Sequence, residues 1–211
     1  MAGKSLILLL CGPPGVGKTL TAESAAERTK TPLYTLSAGD LGTNADQVEH
    51  SLSQALEMCA LWKSVMLIDE ADVFLETRKT DNLERNELVS VFLRLLEYYK
   101  GLLFLTTNRV SAIDTAFESR IDLIIPYGDL DQTARRQVWV NFANILVGGT
   151  HELGDADFDE LSRRELNGRQ IKNAVKTALM LADSEGKKLQ MEHLKIVLEV
   201  RRRAAEYLRQ G

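Results

Sequence analysis

Leu6-Ile7-Leu8-Leu9-Leu10-Cys11-Gly12-Pro13-Pro14-Gly15-Val16-Gly17-Lys18-Thr19 joins an unbroken apolar run to a glycine-rich turn and a lysine followed by a hydroxyl. An apolar run that does not alternate with polar residues predicts a strand buried on both faces, as in a mostly parallel sheet between helices. The next eight residues fit G-x-x-x-x-G-K-[ST], and the pattern after them predicts a helix beginning near Lys18. A turn of this kind points backbone N–H groups into a concave surface at a helix N-terminus, which is a cradle for phosphate oxygens. Pro14, Gly15, Val16, Gly17, Lys18, Thr19 and Leu20 are its candidate lining. Lys18 is placed to meet the β and γ phosphates of a nucleoside triphosphate, and the Thr19 hydroxyl to ligate Mg²⁺.

Working outward, four further apolar runs read as strands: Leu33–Leu36, Val65–Ile68, Leu102–Thr106 and Leu123–Ile125. Between them, Val48, Leu52, Ala55, Leu56 and Cys59, then Leu88, Phe92, Leu95, Leu96 and Tyr99, recur at the spacing of one helical face. Asn44 with Gln47 predicts a capping box at the start of the first of these helices. The run Val65-Met66-Leu67-Ile68 ends in Asp69-Glu70, so a buried strand delivers two carboxylates at its C-terminal edge, where open α/β sheets place their sites. Beside a phosphate cradle, Asp69 is assigned to the Mg²⁺ shell and Glu70 to orienting and deprotonating an attacking water.

After Pro126-Tyr127-Gly128 the strand patterns stop. Val138, Phe142, Ile145 and Leu146 predict one helical face, Ile171, Val175, Ala178 and Ala182 a second, and Met191, Leu194, Val197 and Leu198 a third. The expected organisation is an α/β nucleotide-binding subdomain over 1–128, with a five-stranded parallel sheet flanked by helices, and a small all-α subdomain over 129–211.

The composition is that of an ordinary globular chain: 211 residues, 45% hydrophobic and 27% charged, with 26 basic against 30 acidic side chains and a formal charge of −4. That balance gives no overall attraction to nucleic acid or anionic lipid. Lys4 and the run after it imitate a signal peptide, but the run is short and no small-residue cleavage site precedes Cys11. No stretch approaches the roughly 20 apolar residues needed to span a bilayer, so a soluble chain without a membrane partner is expected. Cys11 and Cys59 form no C-x-x-C pair, which points to a reducing, intracellular setting, cytoplasmic or nuclear. His50, His151 and His193 lack metal-ligand spacing, and Arg201-Arg202-Arg203 reads as a solvated helical turn. Trp62, Trp139, Tyr98 and Tyr99 fall at helix positions suited to core packing.

The ordered set Gly12–Thr19, Val65–Asp72, Thr106-Thr107-Asn108-Arg109 and Ile113-Asp114-Thr115-Ala116-Phe117-Glu118-Ser119-Arg120 resembles the AAA+ ATPases, over nearly the whole chain. The resemblance implies ATP and Mg²⁺ as ligands and a ring of subunits, expected to be hexameric. It implies that Asn108 is the sensor 1 residue placing water near the γ phosphate, and that Arg120 is an arginine finger serving a neighbouring subunit's ATP. It also implies that Arg169 is the sensor 2 arginine of a helical lid. A predicted capping box, Asn167 with Gln170, puts that cation in the first turn of a helix, where its charge is locally unfavourable and suggests an external anion. Arg85 resembles an intersubunit contact of the family.

Departures accompany these matches: many family members show two arginines in the stretch that ends at Arg120, and this chain shows one. Asp40-Leu41-Gly42-Thr43-Asn44 lacks the aromatic residue that polypeptide-threading members carry after the second strand, and only eleven residues precede the phosphate loop, as expected of a domain cut from a larger protein. The expected function is Mg²⁺-dependent ATP hydrolysis coupled to remodelling of a macromolecular partner, a protein by preference. The alternative is an ATP-binding switch or scaffold with little turnover. A DNA-linked role is disfavoured by the negative charge and by the lack of interleaved basic and aromatic residues.

Overall fold

Five apolar runs pair as parallel strands: β1 (Leu6–Cys11), β2 (Leu33–Ser37), β3 (Val65–Asp69), β4 (Leu102–Thr107) and β5 (Leu123–Pro126), in the spatial order β2-β3-β4-β1-β5. These come from a computed structural model that describes residues 5–42, 44–75, 83–109, 113–117, 119–148 and 151–210. Lys4, Thr43 and Glu118 lie outside the described residues.

The central strands are buried on both faces with a period of two, which is why their sequences do not alternate. Ile7, Leu9 and Cys11 of β1, Met66 and Ile68 of β3, and Leu103 and Leu105 of β4 face one side. There they meet α2 (Ala45–Trp62), α3 (Asp72–Leu75) and α4 (Leu83–Tyr98) through Val48, Leu52, Phe74, Leu75, Phe92 and Leu96. Leu10, Val65, Leu67 and Phe104 face the other side, against Ala22 and Ala26 of α1 (Lys18–Thr29), whose small side chains form its buried stripe. Phe74 and Phe92 stack with ring centroids 4.6 Å apart, and Phe117 tilts against Phe92 at 6.1 Å. The expected face of α2 is buried throughout, and Asn44 caps this helix by accepting the Gln47 N–H at 2.9 Å.

The chain falls into two compact units, Met1–Pro13 with Gly17–Gly128, and Pro14–Val16 with Asp129–Gly211. The second is built of α5 (Gln132–Val147), α6 (Asp155–Ser162), α7 (Gly168–Ser184) and α8 (Met191–Gln210). The Asn167–Gln170 capping box forms, with reciprocal bonds of 2.9 and 3.0 Å. The predicted faces of α7 and α8 pack as expected, around Ile171, Val175, Ala178, Leu194, Val197 and Leu198.

The face predicted for α5 is rotated. Trp139 and Ala143 are fully buried, Val138, Phe142 and Leu146 only partly, and Ile145 is 73% exposed. The large ring of Trp139 takes the central position of the bundle, and one residue of shift turns a helix by about 100°. Trp139 and Tyr99 pack in cores as expected, but Trp62 and Tyr98 do not: they end α2 and α4 at 54% and 74% exposure, while their neighbours Cys59 and Tyr99 take the inward positions. His193 is buried, with its Nδ1 accepting the Gln190 N–H at the start of α8, a structural role. Arg202 and Arg203 are engaged by Glu199 at 2.8 Å, and they hold its carboxyl down to about 2. Both cysteines are free and buried.

Tyr99 is buried, and its hydroxyl finds no hydrogen-bond partner among the described residues. Burial, aided by nearby Cys59, pushes its phenol up to about 12. The unfolded chain therefore ionises first as pH rises through about 10, so the stability associated with the neutral phenol is intact below that value and is lost between about pH 10 and 12. Tyr99→Phe should raise the unfolding free energy by about 1 kcal/mol at neutral pH, by removing an unsatisfied buried hydroxyl. In urea melts across pH it should also flatten the alkaline decline.

Candidate nucleotide site

The site grows from the carboxyl edge of the sheet. Cys11 pairs with Thr107 of β4 and with Pro126 of β5, so β1 ends between two strands that end beside it. The chain then turns at Gly12, with φ of 144°. A Cβ there would lie 2.2 Å from the Tyr127 carbonyl oxygen, so only glycine fits. Gly17, with φ of 105°, precedes α1, and no acidic side chain stands in that helix's first turn. Positive φ is the conformation in which glycine alone carries no Cβ penalty. Leu20 is exposed on this turn.

Lys18 is 7% exposed, and its Nζ donates to the Gly12 and Pro13 carbonyl oxygens, both at 2.7 Å, and to Asn108 Oδ1 at 2.9 Å. The structure thus brings together two residues 90 positions apart, one assigned to the site by its motif and the other by the family resemblance. The Thr19 hydroxyl donates to the Asp69 carboxylate, 3.1 Å from Oδ1 and 3.2 Å from Oδ2. Thr19 and Asp69 form an oxygen-only donor pair of the kind a hard cation takes. Among the described residues no group of three or more His, Cys, Asp or Glu side chains gathers to cage a metal. A sparse pair of this type fits Mg²⁺, which is bound through one or two protein oxygens and completes its shell with water and substrate phosphates.

Asp69 and Glu70 are set by a residue whose role the sequence reading left unassigned. Thr106, buried in β4, donates its hydroxyl to Asp69 Oδ1 and accepts the Glu70 N–H at 2.9 Å. The Ala71 N–H bonds the Thr106 carbonyl at 2.9 Å, so three successive residues of the acidic turn are tied to one threonine. Glu70 itself has φ of 55°, and its side chain is exposed at the edge. A non-glycine residue held in the left-handed region costs energy that surrounding bonds must offset. Thr107 repeats the device one residue on: its hydroxyl donates to Asp72, which also accepts the Asn108 N–H at 3.2 Å. Two hydroxyls ending an apolar strand beside Asn108, and an acid two residues after Glu70, were the available signals.

The remaining candidates are three arginines. Arg120 donates to Ala116 O at 3.1 Å, to Ser119 Oγ at 3.0 Å and to Glu97 at 3.4 Å, none of them a member of the Lys18 cluster. Arg85 reaches the Val73 carbonyl at 3.5 Å. Arg169 is exposed in the first turn of α7, and that turn meets the phosphate loop within one compact unit: the Gly168 N–H donates to the Gly15 carbonyl oxygen at 2.7 Å, and a Cβ on Gly15 would lie 3.2 Å from Arg169 Cβ. Burial pushes the Cys11 thiol up, against the opposing charge of Lys18.

Residues 8–129 match the family model described as the ATPase family associated with various cellular activities (AAA), and residues 130–211 match the fungal AAA+ ATPase lid domain. The chain is 30% identical over 199 residues to an ATP-dependent zinc metalloprotease FtsH of Mycoplasmopsis synoviae, covering 86% of this chain and 29% of that protein. It is 30% identical over 222 residues to CD-NTase-associated protein 6 of Pseudomonas aeruginosa, covering 90% and 73%. It is also 30% identical over 215 residues to a putative 26S proteasome regulatory subunit homolog of Methanothermobacter thermautotrophicus, covering 94% and 56%. The chain thus spans less than a third of the metalloprotease and about half of the proteasomal homolog. With a phosphate loop and an acidic strand end at one sheet edge, and with both parts of the chain matched in order, it belongs to the AAA family of ATPases, as an ATP-binding and ATP-hydrolysing domain followed by its lid.

Proposed function

We propose that the chain hydrolyses Mg-ATP at subunit interfaces of a ring, expected to be hexameric, and passes the nucleotide state to a protein client that it remodels. The observation that carries the catalytic half is the Lys18–Asn108 bond beside the Thr19–Asp69 pair, because one edge then holds a cation, a water-positioning amide and a metal-ligand pair. The Lys18 ammonium donates to the neutral oxygens of Gly12, Pro13 and Asn108, and an anionic phosphate oxygen adds to such a bond the attraction between opposite charges. Backbone N–H groups of Gly15 to Leu20 would cradle the phosphates, with Pro14, which has no N–H, only lining the turn, while Thr19 and Asp69 would hold Mg²⁺. When bound, that ion neutralises charge on the β and γ phosphates.

Glu70 is the proposed base, exposed at the edge on a backbone fixed by Thr106. Asn108 would orient the water. Arg120 is proposed to act in trans, and Arg169 to meet the nucleotide's phosphates from the lid. A protein client is supported by the relatives, one named as a putative 26S proteasome regulatory subunit homolog and another as an ATP-dependent zinc metalloprotease, and the ring by membership of the AAA family.

Steady-state phosphate release over a protein concentration series tests the reading. Activity per subunit should climb with concentration, and flat specific activity would count against a finger in trans. Lys18→Ala should abolish ATP binding. Glu70→Gln should keep it while lowering kcat by about 100-fold or more, and normal turnover in that variant would remove Glu70 as base. ATP binding without turnover at any concentration would favour a switch.

Thr106→Val fills the same space without the hydroxyl. It should lower kcat by about tenfold, the size expected for losing a buried bond to the acidic turn, with ATP affinity changed less than about threefold. An unchanged kcat would show that Glu70 does not depend on this anchor.

A further inference from the structure

We propose that Tyr127, with Thr21, is a positioning residue that clamps both ends of the phosphate loop and thereby sets nucleotide affinity. The inference rests on reading Gly12–Thr19 as the phosphate cradle. No motif includes either residue, and both belong to the same compact unit as Gly12 and Gly17.

At the loop's entrance, the Tyr127 N–H donates to the Cys11 carbonyl oxygen at 2.7 Å, and the Tyr127 carbonyl is the atom that a Cβ on Gly12 would strike. At the exit, the Tyr127 hydroxyl lies 2.6 Å from Thr21 Oγ1, which in turn is 3.1 Å from the Gly17 carbonyl oxygen. Proton bookkeeping fixes the direction of this relay. Thr21 has one hydroxyl proton, and the Gly17 carbonyl can only accept, so that proton goes to Gly17 and the Tyr127 O–H must donate to Thr21. The Gly17 carbonyl also accepts the Thr21 N–H at 3.0 Å, which leaves it doubly held.

Geometry converts these bonds into control of the cradle. A trans peptide is planar, with C=O and N–H pointing oppositely, so a carbonyl that is held fixes the direction of the next residue's N–H. Holding the Cys11 carbonyl fixes the Gly12 N–H, which donates to Thr107 at 3.2 Å, and holding the Gly17 carbonyl aims the Lys18 N–H away from the helix body, toward the loop. One side chain and its backbone thus help to set the first and last peptides of a segment whose glycines at 12, 15 and 17 have positive φ, and whose Gly12, Pro13 and Gly15 carbonyls are held by Lys18 Nζ and the Gly168 N–H. Chained hydrogen bonds also polarise one another, which stiffens the relay further.

Titration calorimetry with ADP, alongside steady-state ATPase assays on the same chain, tests the clamp. Tyr127→Phe, which keeps the ring and removes the relay's first donor, should weaken ADP binding and raise KM for ATP by about fivefold. Its kcat should change by less than about twofold, because the chemistry at Glu70 is not touched. Thr21→Val should show the same loss, the double variant no more than either single, and Thr21→Ser should restore affinity. A purely structural role would instead lower the melting temperature in proportion, with additive losses and no rescue by serine, and that outcome overturns the clamp. ADP affinity within twofold of wild type in both Tyr127→Phe and Thr21→Val, while Lys18→Ala abolishes binding, also overturns it and leaves the cradle intact. Normal ADP binding by Lys18→Ala would remove the cradle reading itself, and the clamp with it.

Discussion

Ile68 lies opposite Leu105, and Leu105 in turn opposite Leu9, so β3, β4 and β1 run to the carboxyl edge of the sheet in one common register. Extended by one residue, that register sets Asp69, Thr106 and Leu10 at one level, and by two, Glu70, Thr107 and Cys11. Everything polar at the nucleotide edge follows from this alignment. The register is strongly specified because each of the three strands is buried on both faces, with Leu9, Ile68 and Leu105 on one side and Leu10, Leu67 and Phe104 on the other. A slip of one residue in any strand would exchange these sets and move its terminal acid, threonine or glycine out of reach of the others.

Hydrophobic packing thereby fixes the location of the site, and a second layer of polar bonds fixes its detail. Thr106 and Thr107 are each buried to 1% exposure, and each hydroxyl donates to a carboxylate that belongs to the neighbouring strand's exit. A buried hydroxyl without a partner costs about 1 to 3 kcal/mol, so the acidic turn and β4 are bound to each other by the penalty of separating as well as by the bonds gained. The left-handed backbone of Glu70 sits inside this lattice, anchored on both sides by the Glu70 N–H donating to Thr106 Oγ1 and the Ala71 N–H donating to the Thr106 carbonyl. A carboxylate fixed by its backbone, with its side chain exposed, keeps freedom where it meets substrate and loses it where placement is decided.

The legible part of this design was local. The strand, glycine turn, lysine and threonine of 6–19 are contiguous, and the apolar run ending in Asp69-Glu70 announces its own edge, so Lys18, Thr19, Asp69 and Glu70 could be singled out from residue types and spacing. Asn108 needed the family resemblance, since an asparagine after a strand is ordinarily a turn former. Thr106, Thr21 and Tyr127 escaped because their partners lie 37, 106 and 106 positions away and nothing in a single strand or helix reports a cross-strand hydroxyl. The rotated face of α5 escaped for a different reason: periodicity locates an apolar stripe to within about one residue, and the volume of Trp139 decided which edge of that stripe became the centre. Trp62 and Tyr98 show the limit of residue type, since an aromatic at the last turn of a helix is buried only if the next layer extends that far.

The bonds of Lys18 carry a consequence for the proposed cycle. Its ammonium donates to Gly12 O, Pro13 O and Asn108 Oδ1, each a neutral acceptor. Of these three only Asn108 sits on a side chain, since the two carbonyls are part of the loop's own backbone, so under the proposed function it is the acceptor that a γ phosphate displaces from Lys18. The Asn108 N–H is meanwhile held by Asp72, so its backbone stays while its amide is released. A freed amide with a fixed backbone, at the strand end beside Thr106 and the acidic turn, is positioned to take up a water where the phosphate has just arrived. Under the proposed function, occupancy of Lys18 and orientation of the nucleophile then become one event: the residue that holds the lysine before the phosphate binds is the residue that becomes available after it.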